Sequence, residues 1–149
     1  MNTAHKLTLS VQYAIGIADL PTRQQFRRWI KSALLRDANI ALRIMDETEG
    51  RALNKNFRGK DYATNVLTFV HEEDGLLHGD IAICAPVVEK EAREQRKNIQ
   101  AHYAHLALHA TLHLQGYVHE KEADATIMEA LETALLAKLG YADPYAIVN

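Results

Sequence analysis

The sequence has one cysteine, Cys84, and no apolar run approaching the ~20 residues that a membrane-spanning helix needs. A lone cysteine cannot close an internal disulfide. The first residues, MNTAHKLTLSVQY, alternate polar and apolar side chains where a signal peptide would have a continuous apolar run. We therefore expect a protein of the reducing cytoplasm.

Neither sign of charge is in large excess, because the formal net charge is -2 at pH 7. This balance argues against binding nucleic acid through overall charge and leaves only a local basic patch for that purpose. The sequence has neither a low-complexity tract nor an internal repeat. With 149 residues, 48% of them hydrophobic, the chain is long enough to bury a core, and we expect one domain over residues 1–149.

The spacing of the apolar residues predicts an α+β fold. Alternation at Leu7, Leu9 and Val11 is typical of a half-buried strand, whereas Phe26 and Ile30 recur at a helical period. The predicted strands are 6–13, 40–44, 66–70 and 79–84, and the predicted helices are 22–37, 46–57, 86–96, 100–115 and 122–139. A polar loop is predicted at 59–65 and an acidic turn at 71–78, so that the last two strands form an antiparallel pair. We expect a mixed sheet of about four strands packed by about five helices.

The stretch HATLHLQGYVH, from His109 to His119, has the spacing of a metal site. On a helix His109 and His113 share one face, and Gly116 can end the helix so that the chain returns with His119 as a third ligand. Three histidine nitrogens leave a tetrahedral zinc ion one open position, which is the arrangement of catalytic sites. We therefore predict one zinc ion per chain on a helix of the C-terminal half.

Two further histidines lie on or near the same helical face. His105 and His109 have the same spacing as His109 and His113, so this spacing alone does not identify the ligands. The downstream Gly116 favours the pair that includes His113. We expect His102 and His105 to pack in the core or to fix the tautomer of a ligand.

The same stretch differs at one position from HExxHxxGxxH, the zinc motif of a large class of peptidases. Ala110 stands where that motif has the glutamate that acts as general base. A zinc peptidase is therefore a weak alternative interpretation.

The stretch HLALHATLHLQGYVH resembles HGxLHLxGYDH, a motif of the YbeY family of bacterial metal-dependent endoribonucleases. A second stretch, LNKNFRGKDYATNVLTF, is similar to the family's LNxxYRxxDxxTDVLSF, and GDIAIC resembles the strand that follows it. The resemblance implies a zinc-bound ribonuclease that cuts single-stranded RNA, acts on ribosomal RNA in maturation of the small subunit, and helps to remove defective ribosomes. Carried over by position, it implies His109, His113 and His119 as ligands and Arg58 as the basic residue of the site.

Two positions depart from the family pattern. Ala110 replaces a glycine, and we expect it to narrow the approach to the metal slightly. Val118 replaces the aspartate before the third histidine, which removes a carboxylate that could orient a ligand or move a proton. The second departure leaves open a non-catalytic ribosome assembly factor with a structural zinc ion.

Basic residues near the second motif predict a substrate-binding surface. Arg51, Lys55 and Arg58 lie at helical steps of four and three, although such a stripe is often only a solvated face. The fork of donors on Arg58 can grip a phosphate at two oxygens. We assign catalytic roles to Arg58 and to His113, RNA contacts to all three basic residues, and expect a monomer.

Overall fold

The computed structural model describes residues 5–73, 75–117 and 121–146. Within these ranges the elements are β1 (Leu7–Tyr13), α1 (Arg23–Ser32), β2 (Ala38–Met45), α2 (Glu47–Arg58), β3 (Val66–Glu73), β4 (Leu76–Cys84), α3 (Ala85–Glu94), α4 (Ile99–Leu114) and α5 (Glu122–Lys138). The predicted α+β class is confirmed. The first helix ends earlier than predicted, at Ser32, because the amide of Ala33 already turns back to the carbonyls of Ile30 and Lys31. None of the described helices is long and apolar enough to cross a membrane.

The strands form one mixed sheet in the order β1-β2-β4-β3. Strands β1, β2 and β4 are parallel, and β3 is antiparallel to β4, as predicted for the last pair. The predicted turn at 71–78 is wrong, because β3 continues to Glu73 and β4 already begins at Leu76. Residues 71–73 are exposed at the edge of the sheet, so their polar composition imitates that of a turn.

Helix α4 passes through the main core. Tyr103, Ala104, Ala107 and Leu108 are fully buried or nearly so, and they belong to the same cluster as the strand residues Ile44 and Ile83. Asn98 caps the start of the helix, because its side chain accepts a hydrogen bond from the amide of Ala101. Polar side chains on the buried faces of α4 are expected to find partners within the protein, whereas His109 and His113 lie on a partly exposed face.

Helix α2 lies against a second, smaller cluster formed by Met45, Leu67, Ala82 and Cys84. It approaches this cluster closely at Gly50, where an added Cβ would lie 3.0 Å from the sulfur of Cys84. The side chain of Asp46 caps the helix by accepting from the amide of Glu49, and Gly59 ends it with φ of 70°. These contacts place Arg58 at the last turn of a helix that is held closely to the sheet.

Candidate metal centre

Four histidines form a stripe along α4, at His102, His105, His109 and His113. The rings of His109 and His113 are parallel to within 6°, with centroids 6.3 Å apart, as expected for residues four apart on one helix face. The ring of His105 is nearly perpendicular to that of His109, at 79° and 6.1 Å. The predicted convergence of His109 and His113 on one face is therefore present.

Hydrogen bonds select one tautomer of each ligand candidate. Nδ1 of His113 lies 2.9 Å from the carbonyl oxygen of Tyr117, which can only accept, so Nδ1 carries the proton. Nδ1 of His109 lies 2.7 Å from Oε2 of Glu132 and donates to it. In the neutral form of both rings Nε2 is then the nitrogen with the lone pair, which is the state that binds a metal ion.

Glu132 on α5 is the carboxylate that organises this centre. It is completely buried and accepts hydrogen bonds from His109, from Nε2 of His105 at 2.7 Å, and from the hydroxyl of Tyr145. Burial alone would raise the pKa of Glu132, but the hydrogen bonds from His105, His109 and Tyr145 outweigh it and hold the pKa at about 2. Glu132 is therefore ionised at neutral pH and fixes both histidines as donors.

His105, His109 and Glu132 could also hold a metal ion themselves, since each offers a ligand atom within 4.8 Å of the others. These atoms already form the two hydrogen bonds of 2.7 Å. Binding an ion among them would require His105 and His109 to lose the protons that they donate to Glu132. The chain thus contains a histidine and carboxylate cluster suited to a metal ion, and its hydrogen bonds favour Glu132 as the group that orients His109.

A second polar network lies toward the start of α4. Nε2 of His102 lies 3.0 Å from Glu91, and the side-chain amide of Asn65 donates to both Glu91 oxygens at 3.0 and 3.2 Å. Burial lowers the pKa of His102 more than the contact with Glu91 raises it. These contacts place His102 in a buried packing role. His105, in contrast, shares the carboxylate of His109, the kind of position expected of a group that fixes a ligand's tautomer.

Arg58 faces the histidines across a cleft of about 740 Å³. This histidine cleft is lined by Arg58, Thr64, Asn65, Val66, Leu67, Thr68, His109, His113, Ala125, Met128, Glu129, Glu132 and Tyr145. Arg51 and Lys55 are exposed on α2 but do not line it, and Arg51 forms a two-point ion pair with Asp61 at 2.8 and 3.1 Å. Arg58 is thus the member of the predicted basic stripe that the fold brings to the histidines.

The predicted third ligand, His119, lies outside the described residues, as does Val118. The turn that precedes them is described, and Gly116 has the positive φ predicted for it, 101°. Ala110 is completely buried in the main core and does not line the histidine cleft. The expectation that Ala110 narrows the approach to the metal stays a prediction, because the proposed third ligand lies outside the described residues.

The sequence reasoning missed two residues of this centre. The sequence does contain an indication that Glu132 is buried, because it lies four residues from Met128 and from Leu136 on a stripe that is otherwise apolar. No sequence pattern indicates that Tyr145 belongs to this centre, because it follows the last helix in a short turn whose path cannot be derived from periodicity.

Comparison with known proteins gives consistent results. The family model described as "Endoribonuclease YbeY" matches residues 12–140. A Nitrosomonas europaea protein of that name is 53% identical over 142 residues, which cover 95% of this chain and 87% of the relative. A protein of the same name from Cupriavidus pinatubonensis is 56% identical over 148 residues, covering 96% of this chain and 74% of the relative.

One solved structure is also similar, the solution structure of TM1509 from Thermotoga maritima. It matches with a TM-score of 0.54 at 22% identity, covering 94% of this chain and 99% of that one. At this level of identity the match supports the fold alone.

Proposed function

Because this chain belongs to the YbeY endoribonuclease family, we propose that it is a zinc-dependent endoribonuclease specific for single-stranded RNA. We propose further that it acts in the cytoplasm on ribosomal RNA, in maturation of the small subunit and in ribosome quality control. The observation that carries the proposal is the histidine cleft, where Arg58 from α2 faces His109 and His113 from α4.

The residues of the cleft fit a zinc ion. His109 and His113 donate through Nδ1 to Glu132 and to the Tyr117 carbonyl, so each ring is oriented to bind through Nε2, and we propose His119 as the third ligand. A bound zinc ion supplies positive charge next to the phosphodiester and makes water more acidic. With water acidified in this way, the reaction does not depend on a glutamate base at the position of Ala110.

The protein's own contribution to the reaction comes from fixed charge. Phosphodiester cleavage builds negative charge on the non-bridging oxygens, and a guanidinium placed there before the reaction stabilises that charge. Arg58 is suited to this role because it is exposed and lines the histidine cleft. His113 acts through its position, since its hydrogen bond to Tyr117 fixes the ring that we propose as a ligand.

The first test compares cleavage with binding in three variants. Arg58→Ala should lower single-turnover cleavage of single-stranded RNA by on the order of a hundredfold while weakening binding little, because the gain is made in the transition state. Arg51→Ala and Lys55→Ala should leave cleavage at saturating RNA intact. If they touch flanking phosphates, each should flatten the dependence of log affinity on log salt by roughly 0.7.

The ion pair of Arg51 provides a matched control. Asp61→Asn removes its two-point partner without touching the arginine, so this variant should bind RNA at least as well as the wild type. If Arg58→Ala changes only the binding constant, Arg58 is a binding residue and the proposed catalytic role is wrong.

The second test concerns the metal. Zinc content measured on purified protein should be one per chain, and His113→Ala should lose both zinc and RNA cleavage, whereas His105→Ala should retain zinc. The reverse result would assign the ion to the cluster of His105, His109 and Glu132. Zinc-loaded protein that is free of contaminating nucleases and does not cut RNA would instead support a non-catalytic assembly factor.

A further inference from the structure

A second cleft opens beside the histidine cleft, and Tyr145 lies between the two. This side cleft of about 630 Å³ shares Asn65, Val66, His109 and Tyr145 with the histidine cleft and is also lined by Arg96 and Lys97. Its volume is within the range of small-molecule sites. A linear polymer that enters one cleft can therefore continue into the other past Tyr145.

The ring of Tyr145 is exposed but held in place. Its hydroxyl contacts Glu132 and lies 3.1 Å from Nε2 of His105, while 43% of the residue remains exposed. The ring packs edge to face against His105 at 5.3 Å. An aromatic ring that is fixed at its polar end and open on its surface loses little conformational freedom when another ring stacks on it.

The turn that carries Tyr145 is also built into the fold. The side chain of Asp143 accepts from the amide of Tyr145 at 2.8 Å and from the hydroxyl of Thr133 on α5 at 3.4 Å. This turn lies beyond residues 12–140, the part of the chain that matches the family model. The position of Tyr145 is therefore a property observed in this chain rather than one carried over from the family match.

The cations of the side cleft lie near acidic side chains. Glu91 and the exposed Glu94 line the cleft, and Glu91 and Asp143 act electrostatically on Lys97, so a phosphate that binds there competes with these carboxylates for the two cations. Lys97 is half-buried, and burial lowers its pKa more than the nearby Glu91 and Asp143 raise it, so a bound anion would favour its charged form further. Arg96 is exposed at the mouth.

We propose that the side cleft binds the nucleotide adjacent to the scissile phosphodiester, with its base stacked on Tyr145 and its outer phosphate paired with Arg96 and Lys97. The inference rests on the proposed ribonuclease function and names a binding subsite for the same substrate. Stacking suits it because every base has a face that an aromatic ring can cover, which requires single-stranded RNA but no particular sequence.

The test is a double-mutant cycle that combines a substitution at Tyr145 with the removal of one base from the RNA. The probe is a fluorescent single-stranded oligoribonucleotide whose cleavage position has been mapped, bound by zinc-loaded Arg58→Ala protein so that cleavage is slow. Adding Tyr145→Leu should weaken binding about 5- to 140-fold, the equivalent of the 1–3 kcal/mol that a stacked base is worth. An abasic site next to the cleavage position should weaken binding to the Arg58→Ala protein by the same factor. It should not weaken binding to the protein that also carries Tyr145→Leu.

Tyr145→Phe is the control for the hydroxyl. It keeps the ring and loses the hydrogen bond to Glu132, so it should retain full sensitivity to the abasic site. The proposal is wrong if Tyr145→Phe and Tyr145→Leu weaken binding equally. It is also wrong if the abasic site causes the same loss of affinity with and without Tyr145. Zinc content and thermal unfolding of each variant confirm that it is folded and loaded.

The phosphate half of the proposal is tested at Arg96. Its φ is 55°, a left-handed conformation that glycine adopts without cost, so Arg96→Gly removes the charge without straining the turn. This variant should weaken binding for all sequences and flatten the dependence of log affinity on log salt by roughly 0.7. Arg93→Ala, at an arginine of α3 that does not line the side cleft, is the matched control and should change neither.

The two proposals fail in different ways. Absence of zinc-dependent cleavage by the wild-type protein would overturn the ribonuclease function. The coupling between Tyr145 and the abasic site is measured by binding alone, and its absence would overturn the side cleft as a nucleotide subsite even if the protein cuts RNA.

Discussion

Among the described residues, two glutamates contact the histidines of α4, and they differ in burial and in the groups that donate hydrogen bonds to them. Glu132 is completely buried and accepts from His105, His109 and Tyr145, whereas the side chain of Glu91 is 26% exposed and accepts from His102 and Asn65. Only Glu132 touches a residue that we propose as a zinc ligand. The same pairing of carboxylate and imidazole therefore serves two purposes, orienting a ligand at one end of the helix and joining elements at the other.

The largest expected difference between the two is in metal affinity. Glu132→Gln replaces one acceptor oxygen by a donor, so one of its histidine partners loses its acceptor, and zinc affinity should fall by about 10- to 100-fold. Glu91→Gln is the matched control, and its zinc affinity should change by less than about threefold because no ligand depends on it. Competition with a fluorescent zinc chelator measures both, and equal losses would remove the distinction drawn here.

A smaller difference should appear in the dependence of stability on pH. The pKa of His102 is lowered by burial, so below pH of about 6.5 the unfolded chain binds a proton that the folded chain resists. Stability should therefore fall as the pH drops through this range. His102→Gln keeps a donor for Glu91 but does not titrate, so between pH 7.5 and 5.5 it should lose less stability than the wild type.

Urea unfolding of both proteins at the two pH values, in the same metal state, measures this difference. Because only the difference between wild type and variant is used, the other histidines largely cancel. Identical slopes would mean that His102 is protonated equally in the folded and unfolded states.

The smallest expected effect is at Asn65, which ties the start of β3 to Glu91. Asn65→Ala removes a donor to a charged group that is partly exposed, so unfolding should require about 1 kcal/mol less free energy. Zinc affinity should not change. Asn56→Ala, at an exposed position on α2, provides the comparison, and an equal loss there would show that the contact with Glu91 contributes nothing.

Periodicity was sufficient for the order of most elements and for the histidine face, because both depend on local spacing. The helices from Ala85 onward follow the predicted order, and His109 and His113 share one face as their spacing requires. The hairpin was misread because an exposed edge strand can carry the same polar residues as a turn, as at His71 and Glu72. The apolar stripe of α5 marks Glu132 as buried, but its contact with α4, like that of Tyr145, depends on tertiary packing that no local pattern specifies.

The close contact between Gly50 and Cys84 also makes the lone thiol a reporter of motion. Cys84 is completely buried beneath α2, and burial raises the pKa of its thiol, so a thiol reagent should react only when α2 lifts from the sheet. The rate of labelling under native conditions then measures how often the helix that carries Arg58 opens. RNA that binds across the histidine cleft should slow this labelling, which would allow substrate engagement to be followed without any substitution in the protein.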